Sequence, residues 1–238
     1  MLRRLPLKIF AILLICFLVT PFNCNKDNQP AGYDGHDEPD SLSVTDIDGN
    51  IYPIVRIGDQ WCMAENLKVT RYRNGNPIPN VTSITEWIDL TTPALCAYNN
   101  DSTYVAVYGS LYNWYAVQDS RNIAPAGWHI PSVDEWQALI DYLGGASVAG
   151  GKMKETGTTL WLAPNAGATN ESGFSARPAG CRDWTGHWTN VRLYAYFWSA
   201  TETDSDRAKY LSVDYYYPAA VIDSYQKRAG FSIRCVKD

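Results

Sequence analysis

The best-spaced oxygen donors in the chain are Glu202, Asp204 and Asp206 of "TETDSDR". Carboxylates at alternate positions of one loop suit calcium, which gathers oxygen ligands from a short segment, so these three are the candidate metal ligands. The same composition makes a solvated hairpin tip, and that plainer reading is preferred. "DIDGN", residues 46–50, also spaces its acids like a calcium loop, but no glutamate stands at the twelfth position, and it reads as a turn. No cofactor beyond that calcium is expected. Catalytic chemistry is thinly supplied: only His36, His129 and His187 are present, with no Gly-x-Ser-x-Gly and no His-Glu-x-x-His. Asp134 and Glu135 are adjacent on an expected helix and do not converge on one substrate. An enzyme is therefore not expected.

Aromatic residues are the stronger binding signal. Trp184, His187 and Trp188 in "RDWTGHW" and Tyr215, Tyr216 and Tyr217 in "VDYYYPAA" are the candidate ligand-binding residues, since exposed rings stack on sugar faces or anchor a protein interface. An antiparallel sheet also needs aromatics for its core, and half or more of these rings are expected to be buried. Glu65 and Asn66 of "AENL" could face a pocket, but they read better as tying a loop to backbone amides. His129 is likewise read as structural. Beyond Cys16 and Cys24 at the amino-terminal end, four cysteines remain: Cys62, Cys96, Cys181 and Cys235. In an oxidising compartment they suggest up to two disulfides, with buried free thiols as the alternative and the pairing left open.

The elements that position these residues can be read locally. Two apolar runs, residues 51–57 and 60–63, flank the Gly58-Asp59 turn as a hairpin. Residues 74–93 form a long loop, with a short helix after it near Trp114. Ser132 and Glu135 make a capping box, Trp136, Leu139, Ile140 and Leu143 recur at helical spacing, and Gly144-Gly145 ends that helix. Trp128 is expected to be a buried anchor against it. "GFSARPAG", "LYAYFWSAT", "AKYLSVDY", "AAVIDSY" and "GFSIRCVKD" read as five strands. The pattern is α+β: an irregular antiparallel sheet with one or two helices and long loops.

The first 23 residues differ in kind. Arg3, Arg4 and Lys8 precede an uncharged run too short to span a bilayer comfortably, which is a secretory signal. Cys24, directly after it, is the expected lipidation site, which would anchor the protein to a membrane as an outer-membrane or other cell-envelope lipoprotein; ordinary secretion is the alternative. Residues 25–43 are polar and acidic and read as a tether, leaving residues 44–238 as one domain. Loss of the basic leader makes the formal net charge of -5 more negative still. A nucleic-acid partner is not expected of so acidic a chain.

Several segments occur together in order: "DGNIYPIVRIGDQWCMAENL", "YNND", "YGSLYNWYAV", "PAGWHIPSVDEWQALIDYLGG", "GFSARPAG", "FWSATE" and "GFSIRCV". Together they resemble the Fibrobacter succinogenes major paralogous domain over residues 44–238. The resemblance implies an exported lipoprotein with a fold like that of C-type lectins and formylglycine-generating enzymes. It implies no general activity for the family. Ala124 stands where relatives often have cysteine, and Cys181 where they often have an aromatic, which implies a relocated disulfide, Cys181 with Cys235 and Cys62 with Cys96. The sugar-binding calcium motifs of C-type lectins are missing, and neither Cys181 nor Cys235 sits in a context resembling the copper site of the oxidases. The expectation is a non-enzymatic surface module that binds a glycan or a protein, with an oxidase-like enzyme or a purely structural envelope protein as alternatives.

Overall fold

The computed structural model describes residues 42–238. The leader, Cys24, His36 and all but the end of the tether lie outside the described residues.

Alternation builds the first sheet. In "IYPIVRI" Tyr52 and Ile54 turn to one core while Ile51 and Pro53 stay outside, as the two-residue period of a strand requires, and Val55 and Ile57 on the other face pack into a second core cluster. β1 (Ser43–Thr45) pairs with β2 (Ile51–Ile57), and β2 turns at Gly58-Asp59 into β3 (Gln60–Met63). A loop-rich stretch follows, with α1 (Ile84–Trp87), β4 (Leu95–Cys96), a 3-10 turn at Tyr98–Asn100, α2 (Thr103–Tyr108), β5 (Leu111–Tyr112) and α3 (Trp114–Val117). Next come β6 (Trp128–His129), α4 (Val133–Tyr142) and α5 (Ala146–Met153), then the small hairpin β7 (Cys181–Arg182) and β8 (Trp188–Thr189). Three long strands, β9 (Tyr194–Glu202), β10 (Arg207–Asp214) and β11 (Ala220–Gln226), form their own sheet, and β12 (Val236–Lys237) ends the chain.

The result is a mixed α/β architecture in which every pairing between these strands is antiparallel. β12 enters the first sheet between β3 and β6, so both ends of the described chain meet in one sheet. The segment before it crosses the molecule in single bridges: Gly230 with Arg182, Phe231 with Tyr112, Ser232 with Phe197. One face of the β9–β10–β11 sheet packs Ala195, Phe197, Leu211 and Val213 with the α4 stripe of Trp136, Leu139 and Ile140. Its other face turns Tyr196 and Trp198 toward Tyr112, Trp128 and Phe231. No helix among the described residues is long and apolar enough to cross a membrane.

The capping box is as expected: the Ser132 hydroxyl accepts from the Glu135 N–H at 3.2 Å and the Ser132 N–H donates to the Glu135 carboxylate at 2.8 Å. Trp128 is buried, but in the core with Tyr112 and Phe231 rather than with the α4 stripe. "GFSARPAG" is not a strand. Its carbonyls are taken elsewhere: those of Phe174 and Ser175 by Arg234, that of Ala176 by the Trp161 indole and the Glu155 amide.

The disulfides implied by the resemblance do not form: Cys62, Cys96, Cys181 and Cys235 are free thiols, all buried. Strand geometry keeps the first pair apart. Cys62 stands opposite Val236 and packs with the α4 core, whereas Cys96 packs with Trp87 and Tyr108 in a separate cluster. Cys235 and Cys181 both belong to the cluster around Tyr112, as separate thiols. Burial pushes Cys62 and Cys181 up to about 12 and Cys96 up to about 11, which suppresses the reactive thiolate.

Irregular backbone on this scale leaves carbonyls that no ladder pairs. Three fully buried cations accept that role. Arg234 donates to the carbonyls of Met63 at 2.8 Å, Phe174 at 2.7 Å and Ser175 at 2.9 Å, and to the side-chain oxygen of Asn66 at 2.6 Å. Arg182 donates to Gly186, Val81, Thr82 and Ser83 and lies between the rings of Trp87 and Trp188, at 4.3 and 4.4 Å. Lys154 donates to Ala166, Asp214 and Tyr217 at 2.7–2.9 Å.

Two outcomes are expected. Arg234→Met strands three carbonyls and an amide oxygen, and urea unfolding should show a loss of about 3–5 kcal/mol; Arg234→Lys should recover only part, because one ammonium lacks the planar fork. In a chain with Cys16 and Cys24 replaced by serine, a thiol reagent should titrate all four remaining cysteines in denaturant without reductant and almost none in the native protein. Fewer thiols in denaturant would mean that a disulfide does form.

Candidate functional site

The exposed aromatics expected to bind ligand are not gathered into one place. Trp184 and His187 are exposed on the β7–β8 turn, where Asp183 holds the loop by accepting from the Thr185 and His187 amides. Trp188 is structural: its indole N–H donates to the Ala97 carbonyl at 3.1 Å and its ring covers Arg182. Tyr216 and Tyr217 are exposed, 56% and 59%, with rings edge to face, while Tyr215 packs against the α4 core. None of these rings lines a described cavity.

The metal candidates are committed locally. Glu202 pairs with Lys227. Asp204 accepts from the Asp206 and Arg207 amides at 2.8 Å, bonds that hold its carboxyl below the usual range, and Asp206 ends that turn. Among the described residues no three His, Cys, Asp or Glu side chains converge on a metal position. In "DIDGN", Asp46 accepts from the Asp48 and Asn50 amides and the Tyr52 hydroxyl, and Asp48 binds Thr70 and Arg71. Asn66 ties its loop down, but through a carbonyl and side chains rather than backbone amides: it donates to the Tyr108 carbonyl and to Ser232 and accepts from Arg234.

Tyrosines that sequence reasoning passed over do line cavities. They flank the loop after β8, where Asn190 and Arg192 both adopt left-handed backbone, at φ 64° and 69°. Such conformations cost roughly 1–3 kcal/mol outside glycine and persist only where neighbours over-determine them. Here the Arg192 amide donates to Pro178 and its carbonyl accepts from Leu162. Gly180, at φ +63°, makes the approach possible: a Cβ there would lie 2.3 Å from the Thr189 carbonyl oxygen.

On one side of this loop is a groove of about 340 Å³, lined by Thr103, Tyr104, Tyr108, Leu160 and Arg192 among others. Tyr98, Tyr104 and Tyr108 form a ladder of rings with centroids 5.4 and 5.8 Å apart, inclined by 34° and 23°. Asn99 and Asn100 turn the chain into α2 with positive φ, and Asp101 accepts from the Thr103 amide at its start. Gly109 ends α2 tightly, since a Cβ there would meet Asn66 at 2.6 Å. On the other side is a smaller cavity of 130 Å³, between the β7–β8 hairpin and the outer face of the three-stranded sheet. Its walls include Asp183, Asn190, Tyr196, Tyr210, Tyr225 and Phe231. The spacing in "YAYFW" and "AKYLS" does place Tyr196 and Tyr210 on one face; nothing local says which face stays open.

The geometry thus defines a loop-rich, mostly antiparallel module with two tyrosine-lined concavities. A family model described as the Fibrobacter succinogenes major domain matches residues 55–237, and the chain belongs to that family. No curated protein and no solved structure matches the chain.

His129 joins the chain's end to α4. Its Nδ1 lies 2.7 Å from Asp238 and its Nε2 2.8 Å from Glu135. Partial burial pulls the imidazole down, but Asp238 and Glu135 outweigh it and hold its pKa above the ordinary value. A raised folded pKa means that the stabilisation is fully present below the unfolded value of about 6.5 and fades as pH climbs through the folded value. Melting temperature should therefore fall more steeply above about pH 6.5 in the native protein than in His129→Gln. Parallel curves for the two proteins would rule out this linkage.

Proposed function

We propose that this protein is an exported, lipid-anchored, non-enzymatic module that binds glycan in the groove beside Tyr104 and Tyr108. The observation that carries the reading is the tyrosine ladder bordering a groove of 340 Å³, within the range of about 300–1,000 Å³ usual for ligand sites. A sugar presents an apolar C–H face to such rings and hydroxyls at its edge, and the groove supplies Thr103 and the exposed Arg192 for those hydroxyls. Export and anchoring rest on the leader and Cys24, placing the module in the cell envelope as an outer-membrane lipoprotein. Likeness to the C-type-lectin fold is part of the same reading, and the return of β12 between β3 and β6 supports it.

A glycan array probed with the full chain in mild detergent tests the proposal. Binding should fall about tenfold in Tyr104→Ala, the loss of a hot-spot ring worth roughly 1.4 kcal/mol. Trp184→Ala and a chelator should change little, because Trp184 lines no described cavity and the acidic loop is already bonded. A blank array with folded protein would sink the glycan reading. The exposed pair Tyr216 and Tyr217 would then favour a protein partner.

A further inference from the structure

The smaller cavity has a different chemistry from the groove. Its volume of 130 Å³ is well below the roughly 300 Å³ at which pockets begin to hold whole small-molecule ligands, so it admits one headgroup or side-chain end. Tyr196, Tyr210 and Tyr225 are half-buried, and Phe231 is buried among them. Tyr210 stands at 62° to Tyr196 and 85° to Tyr225, with centroids 5.8 and 6.3 Å apart, while Tyr196 is stacked with Tyr194 and Phe231, at 5.4 and 4.9 Å.

Two carboxylates stand at this cavity. Asp183 lines it and accepts from the Thr185 amide and hydroxyl and the His187 amide through Oδ1, leaving Oδ2 outside these hairpin bonds. Asp223 stands directly across the ladder from Tyr210. Among the described residues no Lys, Arg or His lines the cavity. Arg182, next to Asp183 in sequence, is held by four carbonyls and two indole rings in the neighbouring core.

We propose that this cavity binds a methylated ammonium group. Aromatic faces attract cations over about 6 Å, and the attraction strengthens when water is excluded. Asp183 excludes an anionic ligand and adds a counter-charge. A primary ammonium must also find acceptors for three N–H bonds when it leaves water, and part of the polar lining is already engaged: Asn190 donates to Tyr196 and accepts from Thr189. A quaternary ammonium has no N–H to satisfy, and rings with one carboxylate meet its whole requirement.

Calorimetry on the full chain tests this with tetramethylammonium, choline and 3,3-dimethyl-1-butanol, the uncharged isostere of choline. Both cations should bind saturably and the isostere at least about tenfold more weakly. Tyr225→Ala should abolish binding and Tyr225→Phe should keep it. Asp183→Asn should weaken it about tenfold, since the amide oxygen still accepts the hairpin N–H groups. Tyr104→Ala should leave it unchanged, which separates this site from the glycan groove. Phosphocholine and a trimethyllysine peptide, titrated in parallel, distinguish a headgroup source from a protein side chain. Equal binding of the isostere, an absence of saturable tetramethylammonium binding by folded protein, or an unaltered isotherm for Tyr225→Ala would overturn the assignment.

Discussion

A chain with so much irregular backbone must satisfy, inside its core, carbonyls that neither strand nor helix pairs, and the Arg234 guanidinium is the group on which that depends most. Its four bonds reach Met63 at the end of β3, Phe174 and Ser175 in the loop after α5, and Asn66 in the loop after β3. Residues 63–66 and 174–175 are far apart in sequence and do not pair as regular strands. A guanidinium suits the task because its donors radiate in one plane, and the rings of Phe174 and Phe197 lie near it, at 4.6 and 5.6 Å. Asn66 passes the connection on to the Tyr108 carbonyl and to Ser232. Through that one amide, the ladder-forming helix α2 is tied to the closing segment.

Arg182 does the same for the other wall of the binding region. It fixes the β7–β8 hairpin onto residues 81–83 and sits between Trp87 and Trp188. Alternation along β7 then turns Cys181 to the opposite side, where it lines the 130 Å³ cavity. The strained loop at Asn190–Arg192 follows directly from that hairpin and divides the two concavities. Positioning of the loops that wall both candidate sites therefore comes from buried cations, while the floor of the smaller one is the three-stranded sheet.

What the amino-acid sequence makes legible is what depends on near neighbours. The capping box of Ser132 and Glu135, the Gly58-Asp59 hairpin and the three long strands each rest on contacts within a few residues, and they are found where expected. "GFSARPAG" has the composition of a strand, but its carbonyls bond a guanidinium contributed some sixty residues away, as the separation of 59 and 60 positions records. No local pattern carries that information. α5, with two glycines in "ASVAGGKM", has a weak helical signal for the same kind of reason: glycine is a poor helix former, and the helix is held by tertiary packing. The tyrosine groove has a visible trace, since Tyr104 and Tyr108 are spaced to share a helix face, but the runs "RDWTGHW" and "VDYYYPAA" are denser in aromatics and carry the stronger local signal.

The division between core and site also explains why tyrosine, rather than phenylalanine or tryptophan, occupies the outer face of the three-stranded sheet. Trp198 and Phe231 on that face are fully covered, and the Trp198 indole donates to the Tyr112 carbonyl. One position further out, at Tyr196, Tyr210 and Tyr225, each ring is half-buried. A ring at such a boundary needs an apolar body against the core and a polar tip toward water. Tyrosine meets both conditions, and the Tyr196 hydroxyl accepts from Asn190 at 2.9 Å, fixing one wall to the strained loop. Burial keeps these phenols neutral, raising Tyr210 to about 12, so the cavity keeps neutral aromatic walls throughout the physiological range and Asp183 is its sole lining charge.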